Sequence, residues 1–408
     1  MKPYDFSVEY DVVVVGAGVA GVAAALASAR RGLKTCLVEK TIMNGGLATI
    51  GSVLYYLPIS DIHNQQVIFG LSEELLRASM KYGPGEVPDW HKPGVRYGCS
   101  FNPMSFVMAM DELLSQAGVI LWYDTLLCDT EVENNTVKAI VVENKSGRGR
   151  IAAKAFVDTT GDADIAQKSG AETMDGVNYI AIWGVGYSYD AAEEAVETKN
   201  GAHLCQLIGW GASDTGSGAI PGIEPFVGIN GKEVSRFVVQ SRELALNAYK
   251  EMQQSRENGR NYYFPAMLPT MPNYRMSRHI TAQYTLNTGE KFKQFHDAVA
   301  VAPDWRGGSD IWCLPYRALL HKDVRGFLSA GRCTGTHGEA WQVFRVIQTA
   351  AQTGEVAGLA ASMAAERNID PWDLNVPDLQ KELKNRGFLL DMRELSVLSQ
   401  PVRMEDEN

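Results

Sequence analysis

The apolar positions change rhythm twice within the first forty residues. Val12 to Val15 form an unbroken apolar run, the pattern of a short strand buried on both faces. After Gly16-Ala17-Gly18 a small-residue helix is expected, spaced by Gly21, Ala25, Ala29 and Gly32, and a second short strand ends at Glu39. Val67, Ile68, Leu71, Leu75 and Leu76 then recur at helical spacing, with Glu73, Glu74 and Arg77 opposite, which predicts a helix over 67–82. The Pro/Gly-rich stretch 83–98 reads as a loop, with Trp90 and His91 packed on its surface. A helix over 102–117 is expected, with Asn102 as N-cap and Gly118 as terminator. Strand-like alternation follows over 119–123, 126–131 and 136–143, with Asn134–Asn135 turning an antiparallel hairpin onto a parallel sheet. A further strand, 152–158, runs into TTGDADIA.

From about Asn178 the texture changes. Trp183, Tyr187 and Trp210 stand among frequent glycines, a long amphipathic helix is expected over 233–256, and 261–268 and 280–286 read as strands. Beyond these, 327–330 is a short buried strand, followed by Gly331–Arg332, a Gly/Thr-rich loop and a small-residue helix over 347–365. This is a second strand–glycine–helix unit, and a tail helix over 377–386 follows it. The expected fold is α/β: a Rossmann-like, glutathione-reductase-like nucleotide domain in two parts, 1–175 and 313–408. An α+β substrate or cap domain, 176–312, is inserted between them and built on an antiparallel sheet.

The glycine turn carries the first chemistry. Gly16 allows the sharp turn, Gly18 lets backbone approach a pyrophosphate, and Gly21 lets the helix pack on the strand. The helix N-terminus then presents free N–H groups and partial positive charge to phosphate. Glu39 stands where an acid accepts hydrogen bonds from an adenosine ribose. This much fits NAD or FAD alike. Gly45–Gly46, small residues and Thr49 suggest backbone passing close to a flat or charged group, and Tyr55–Tyr56 lines a pocket or fills core. Thr160-Gly161-Asp162 ends a strand at the carboxyl edge, where open α/β sheets bind ligands.

Charge and cysteines narrow the class. The chain of 408 residues has a formal net charge of −10, which argues against bulk nucleic-acid binding. Its six cysteines are scattered without a CxxC pair, so free thiols, a reducing compartment and no metal site are expected. Neither a signal-peptide core nor a membrane-length apolar segment is expected, and the cytoplasm is the default location.

Four stretches are familiar together: the opening DVVVVGAGVAGVAAALASARRGLKTCLVEK, then NGGLAT, then FVDTTGDADIA, and finally LPYRALL with GFLSAGRCTGTHGEAWQVFRVIQTAAQTGEVAGLAA. In this order they resemble the FAD-dependent oxidoreductase family, related in fold to the fumarate reductase and succinate dehydrogenase flavoproteins. The middle of the chain matches only around YRMSRHI. The resemblance implies FAD. Gly16, Gly18 and Gly21 would hold the pyrophosphate and Glu39 the adenosine ribose, with Ala20 and Lys40 beside them. Gly45 and Gly46 would lie along the pyrophosphate and ribityl chain, flanked by Leu47, Ala48 and Thr49. Leu127 would meet the adenine, and Thr160, Gly161 and Asp162 would close over the nucleotide. Gly331 and Arg332 would contact the ribityl–phosphate part. The helix after Arg345, with Gln348 and Thr349 in its first turn, would point at the flavin N1–C2=O edge. Family relatives often carry Pro and Cys or Met where this chain has IQTAAQTG, so those last two contacts depart from the pattern.

A flavin exchanges hydride at N5, which leaves the protein one proton to manage. His337 is the first candidate for that role, because an imidazole titrates near neutrality. Arg345, isolated in VFRVI, is a candidate to hold a carboxylate, stabilise an enolate or pair with an acid. Arg278 and Tyr56 are weaker candidates. The expected activity is hydride transfer between flavin and a small polar substrate at CH–OH, CH–NH or activated C=C. The electron acceptor is left open, and a homo-oligomer is compatible with these features. The alternative is an electron-relay or non-catalytic subunit that acts with a partner protein. An NAD-only dehydrogenase does not need the second strand–glycine–helix unit.

Overall fold

The computed structural model describes residues 4–92, 98–213 and 215–405. Its main sheet has seven strands. The strand Phe6–Val15 lies between Thr35–Val38 and Gly147–Asp158, parallel to both, and Ile120–Trp122 extends the Thr35–Val38 edge in parallel. Gly147–Asp158 is shared on its other side. Its first half pairs antiparallel with Thr136–Asn144, and its last three residues pair parallel with Phe327–Ser329. Leu126–Glu133 completes the antiparallel meander. Val12 and Val14 enter one core and Val13 and Val15 the other, which is why the run Val12 to Val15 is apolar without alternation.

The helices Val19–Ala29 and Ile347–Arg367 pack against each other on one face of the sheet. Their approach requires small residues. A Cβ at Gly354 would come within 2.1 Å of the Ala20 carbonyl, and one at Gly358 within 2.2 Å of the Ala24 carbonyl. The Ser28 hydroxyl donates to the Gly358 carbonyl at 2.9 Å across this contact.

The middle of the chain builds a three-stranded antiparallel sheet, with Ala181–Ser188 between Gln206–Gly211 and Tyr263–Met267. The helix Gly231–Gln254 packs on it and buries Phe237, Ser241, Ala245 and Tyr249. Asn230 caps this helix by accepting from the N–H groups of Lys232 and Glu233, while the Glu233 carboxylate turns back to those of Val227 and Gly228. Asn230→Ala is expected to cost about 1 kcal/mol in urea unfolding, with Asn230→Asp close to wild type. An alanine variant as stable as wild type would show that the cap is idle.

Several boundaries differ from the sequence pattern. The helix expected from Val67 begins at Leu71, because Val67 and Ile68 donate their N–H groups to the Ile59 carbonyl and Gly70 turns the chain at φ +68°. Trp90 is buried, its indole donating to Gln66 Oε1 at 3.0 Å, so it packs into the fold and not on its surface. Residues 93–97 of that expected loop lie outside the described residues. Over 280–286 there is no continuous strand among the described residues. Arg278–Ile280 pairs with Thr173–Asp175, and beyond it Ala282 and Leu286 bridge singly to His321 and Thr336. Residues 259–262 form a helical turn before the strand Tyr263–Met267. The hairpin Ala298–Pro303 with Ile311–Pro315 was not legible as such. It shares the core of the Val19–Ala29 helix, although the sequence division places most of it in the inserted part. Among the described residues no helix is long and apolar enough to cross a membrane.

Candidate cofactor groove and reacting end

The site begins at the glycine turn. Gly16 takes φ +96°, and a Cβ at Gly21 would lie 1.8 Å from the Gly16 carbonyl, so helix and turn touch backbone to backbone. The Thr159 hydroxyl lies 2.8 Å from the Val15 carbonyl and 2.6 Å from that of Gly16, holding the turn to the next strand. Gly18 differs from both. No atom lies within 4 Å of a Cβ built there, because the position faces open space. Glu39 is oriented by accepting the Ala17 N–H at 2.7 Å and the Thr41 N–H at 2.8 Å. A carboxylate has further acceptor positions to offer a ligand hydroxyl. The Gly45 N–H donates to the Ala17 carbonyl at 2.7 Å, which fixes the two-glycine loop beside the turn.

These segments border an open groove. Glu39, Lys40, Gly16, Gly18 and Ala20 line it. Gly45, Gly46, Leu47, Ala48, Thr160, Gly161, Gly331 and Arg332 line it too. Arg345 and Ile347 lie at the start of the last long helix. A smaller cavity shares Gly16, Glu39, Lys40 and Thr160 with the groove and adds Leu127. Behind the Thr160 loop, buried Asp158 accepts the N–H and hydroxyl of Thr160 and the N–H of Ile165, and burial pushes its carboxyl up to about 6. Arg332 donates to the Tyr274 carbonyl at 2.7 Å and fills the space above Gly161, where a Cβ would come 2.2 Å from the guanidinium.

Other expected site residues lie off the groove lining. Thr49 donates to the Asn44 carbonyl at 2.5 Å and braces the two-glycine loop. Asp162 accepts the Ser277 hydroxyl at 2.5 Å. Arg278 donates to the Asp162 carbonyl at 2.7 Å and to Asp164 at 3.1 Å, so it clamps the Thr160–Asp164 loop. Tyr56 is core: it is fully buried, and its hydroxyl donates to the Ser72 carbonyl at 2.6 Å. Thr349 donates to the Val343 carbonyl at 2.7 Å, inside the helix start. His337 is half-buried, its ring 5.8 Å from that of His279, and among the described residues its buried Nδ1 has no hydrogen-bond partner. Burial pushes His279 down to about 4, against its hydrogen bond to the Ile280 carbonyl. Arg345 is the candidate that reaches the groove. It is half-buried, desolvation pushes its guanidinium down to about 10, and it donates to Gln342 Oε1 at 2.8 Å.

Gln342 joins the groove to a second space. Its backbone carbonyl accepts the Trp305 indole N–H at 2.8 Å, and both residues border a cavity of about 650 Å³ together with Trp183, Arg275 and Arg306. The sequence pattern did not single out Thr159, Ile50 or Met271 in the groove. Thr159 adjoins Thr160 in the same loop and could have been found from it. Met271 lies in the middle of the chain and carries no local signal.

The arrangement fits a long, anionic, two-ended cofactor. Neither Val19–Ala29 nor Ile347–Arg367 has a side-chain cap or an acid in its first turn, so both helix starts are open to ligand oxygens. Among the described residues neither end of the buried Gln348 amide has a hydrogen-bond partner, which suits a group that both donates and accepts. A parallel sheet with a glycine turn, an acid at the end of its second strand and a second open helix start on the same groove defines a dinucleotide-binding flavoprotein. Residues 11–179 and 219–383 match the family described as FAD dependent oxidoreductase, and the chain belongs to that family of enzymes, with FAD as its cofactor. It is 27% identical over 265 residues to a thiamine thiazole synthase of Metallosphaera sedula, covering 61% of this chain and 91% of the relative. A stretch of 71 residues, 17% of this chain, is 37% identical to thioredoxin reductase of Ureaplasma parvum, of which it spans 23%. Among solved structures, p-nitrophenol 4-monooxygenase of Pseudomonas putida is similar at 12% identity and a TM-score of 0.49, covering 93% of this chain and 85% of that one.

Proposed function

We propose that this enzyme transfers a hydride between the flavin N5 and a small polar organic substrate, at a CH–OH, CH–NH or activated C=C centre. The observation that supports this reading is the cavity joined to the groove through Gln342 and Arg345. A relay to a partner protein has no use for substrate-sized space at that end. FAD supplies the two-electron hydride acceptor or donor. The chain holds the substrate beside it and places a half-buried positive charge where oxygen gains negative charge, the role we assign to Arg345. One proton per hydride must also move, and we assign it to His337, acting from the side of His279 and Trp341.

Arg345→Leu and His337→Ala are each expected to keep the visible flavin absorbance and to slow anaerobic flavin reduction about tenfold or more. Wild-type reduction rates in a variant would remove that residue from the chemistry. Flavin that is bleached only by a partner protein, across alcohols, sugars and amines, would favour the relay instead.

A further inference from the structure

We propose that His279 is the positioning residue for His337: its buried Nε2 lone pair receives the Nδ1–H of His337 through one water, which leaves Nε2 of His337 as the nitrogen that exchanges a proton. The use of that nitrogen rests on the proton role assigned above, whereas the pairing itself does not. His279 is fully buried in the strand Arg278–Ile280. Its Nδ1 lies 2.9 Å from the Ile280 carbonyl, an oxygen that can only accept, so Nδ1 carries the ring hydrogen. Burial pushes this ring down to about 4 and so keeps it neutral, and a neutral imidazole with its hydrogen on Nδ1 is a bare acceptor at Nε2.

That Nε2 is buried and, among the described residues, has no hydrogen-bond partner. A buried acceptor calls for a donor. His337 Nδ1 is in the same condition, on a ring whose centroid lies 5.8 Å from that of His279 at a tilt of 54°. The two nitrogens do not meet directly, and one water that donates to His279 Nε2 and accepts from His337 Nδ1–H satisfies both. Both residues are held from outside the pair. The His279 ring packs edge-on against Trp341 at 4.5 Å, and the Trp341 indole donates to the carbonyl of Arg332, a groove residue, at 2.9 Å. The His337 N–H donates to the Leu286 carbonyl at 2.8 Å. Gly338 then turns at φ +58°, where a Cβ would come 2.1 Å from the Thr288 hydroxyl oxygen. With its hydrogen kept on Nδ1, His337 can take a substrate proton at Nε2 while the hydride leaves, and return it in the reverse direction.

The test reads the ring nitrogens of the FAD-loaded full chain, carrying isotope-labelled histidine, by proton–nitrogen correlation at about pH 8, where an ordinary imidazole is neutral. His337→Gln identifies the signal among the seven histidines. His337 is expected as the Nδ1–H tautomer in the wild type and in His279→Gln, whose amide oxygen can replace the Nε2 lone pair. In His279→Phe, which keeps a ring against Trp341 but no acceptor, the Nε2–H form is expected to become the major one, with visible flavin absorbance retained. A wild-type His337 protonated on Nε2, an Nδ1–H tautomer that survives in His279→Phe, or a glutamine variant that behaves like the phenylalanine one would overturn the proposal. If the phenylalanine variant does not fold, His279→Asn, whose shorter amide keeps the Ile280 bond and falls short of His337, takes its place with the same outcomes. A His337→Ala protein that reduces its flavin at the wild-type rate would leave the pairing standing and remove only its use in proton transfer.

Discussion

Gly18→Glu is expected to give a folded protein without its yellow colour. No atom lies within 4 Å of a Cβ at this position, so the substitution is accommodated where the same change at Gly16 or Gly21 would collide with backbone. Its carboxylate would project into the space assigned to the pyrophosphate, at a helix start that has no other acid in its first turn. Two like charges about 4 Å apart at an effective dielectric of about 20 repel by ~4 kcal/mol. Salt screening on the open side reduces this, so a loss of about a hundredfold in FAD affinity is the working expectation. Flavin content per chain, with circular dichroism as the check on folding, decides the matter. Gly18→Ala should retain most of the flavin. A yellow Gly18→Glu protein at full stoichiometry would show that the pyrophosphate does not pass this turn.

The second large effect is a dependence of stability on pH, set by Glu355. This acid lies inside the Ile347–Arg367 helix and accepts the Leu71 N–H at 2.5 Å, capping a helix whose own N-cap residue is Gly70. Burial pushes its carboxyl up to about 7 from an ordinary 4.5, with Glu74 adding to the rise, while the Leu71 bond, Arg386 and Arg30 pull the other way. Burial outweighs Arg386 because that guanidinium stands 3.7 Å off and is itself partly in water. The folded state therefore holds this proton more tightly than the unfolded chain. Its contribution is complete below about pH 4.5 and is lost as pH rises towards 7. Asp158, pushed up to about 6 from 3.8, acts in the same direction over an overlapping range. Above pH 7 the buried Glu355 charge costs about 3 kcal/mol. Glu355→Gln keeps an acceptor for Leu71 and has no charge to bury. Urea unfolding should find it close to wild type at pH 5 and more stable at pH 8. A glutamine variant less stable than wild type at pH 8 would mean that the ionised carboxylate is the better cap.

The nucleotide half was readable because its signals are local. Val12 to Val15, the three glycines and Glu39 fall within thirty residues, and each constrains its neighbours through backbone geometry. Asn102 was likewise legible as a cap, and its side chain accepts the Ser105 N–H. Arg345 stood out as one cation in an apolar run, and it lines the groove. What escaped depends on contacts between distant segments. Nothing around Met271 marks it as a wall of the groove, and nothing around Glu355 marks it as the cap of a helix 284 residues away. Tyr56 and Arg278 have the right residue types for catalysis, but their polar groups are taken up by Ser72 and by the Thr160–Asp164 loop. Pattern reveals which residues could do chemistry, whereas tertiary partners decide which are already occupied.

The contact between the Val19–Ala29 and Ile347–Arg367 helices also bears on how the chain is made. Ser28 and Gly358, which meet there, are 330 residues apart. At synthesis rates of ~5–20 residues per second, roughly 16 to 66 s separate the emergence of the two surfaces. Throughout that interval the newborn first helix presents its alanine and glycine face with its permanent cover still untranslated. The three-stranded sheet in the middle of the chain, whose strands and helix are nearer neighbours in sequence, has time to fold first. Closure of the groove around FAD is then among the last events in the life of the nascent chain.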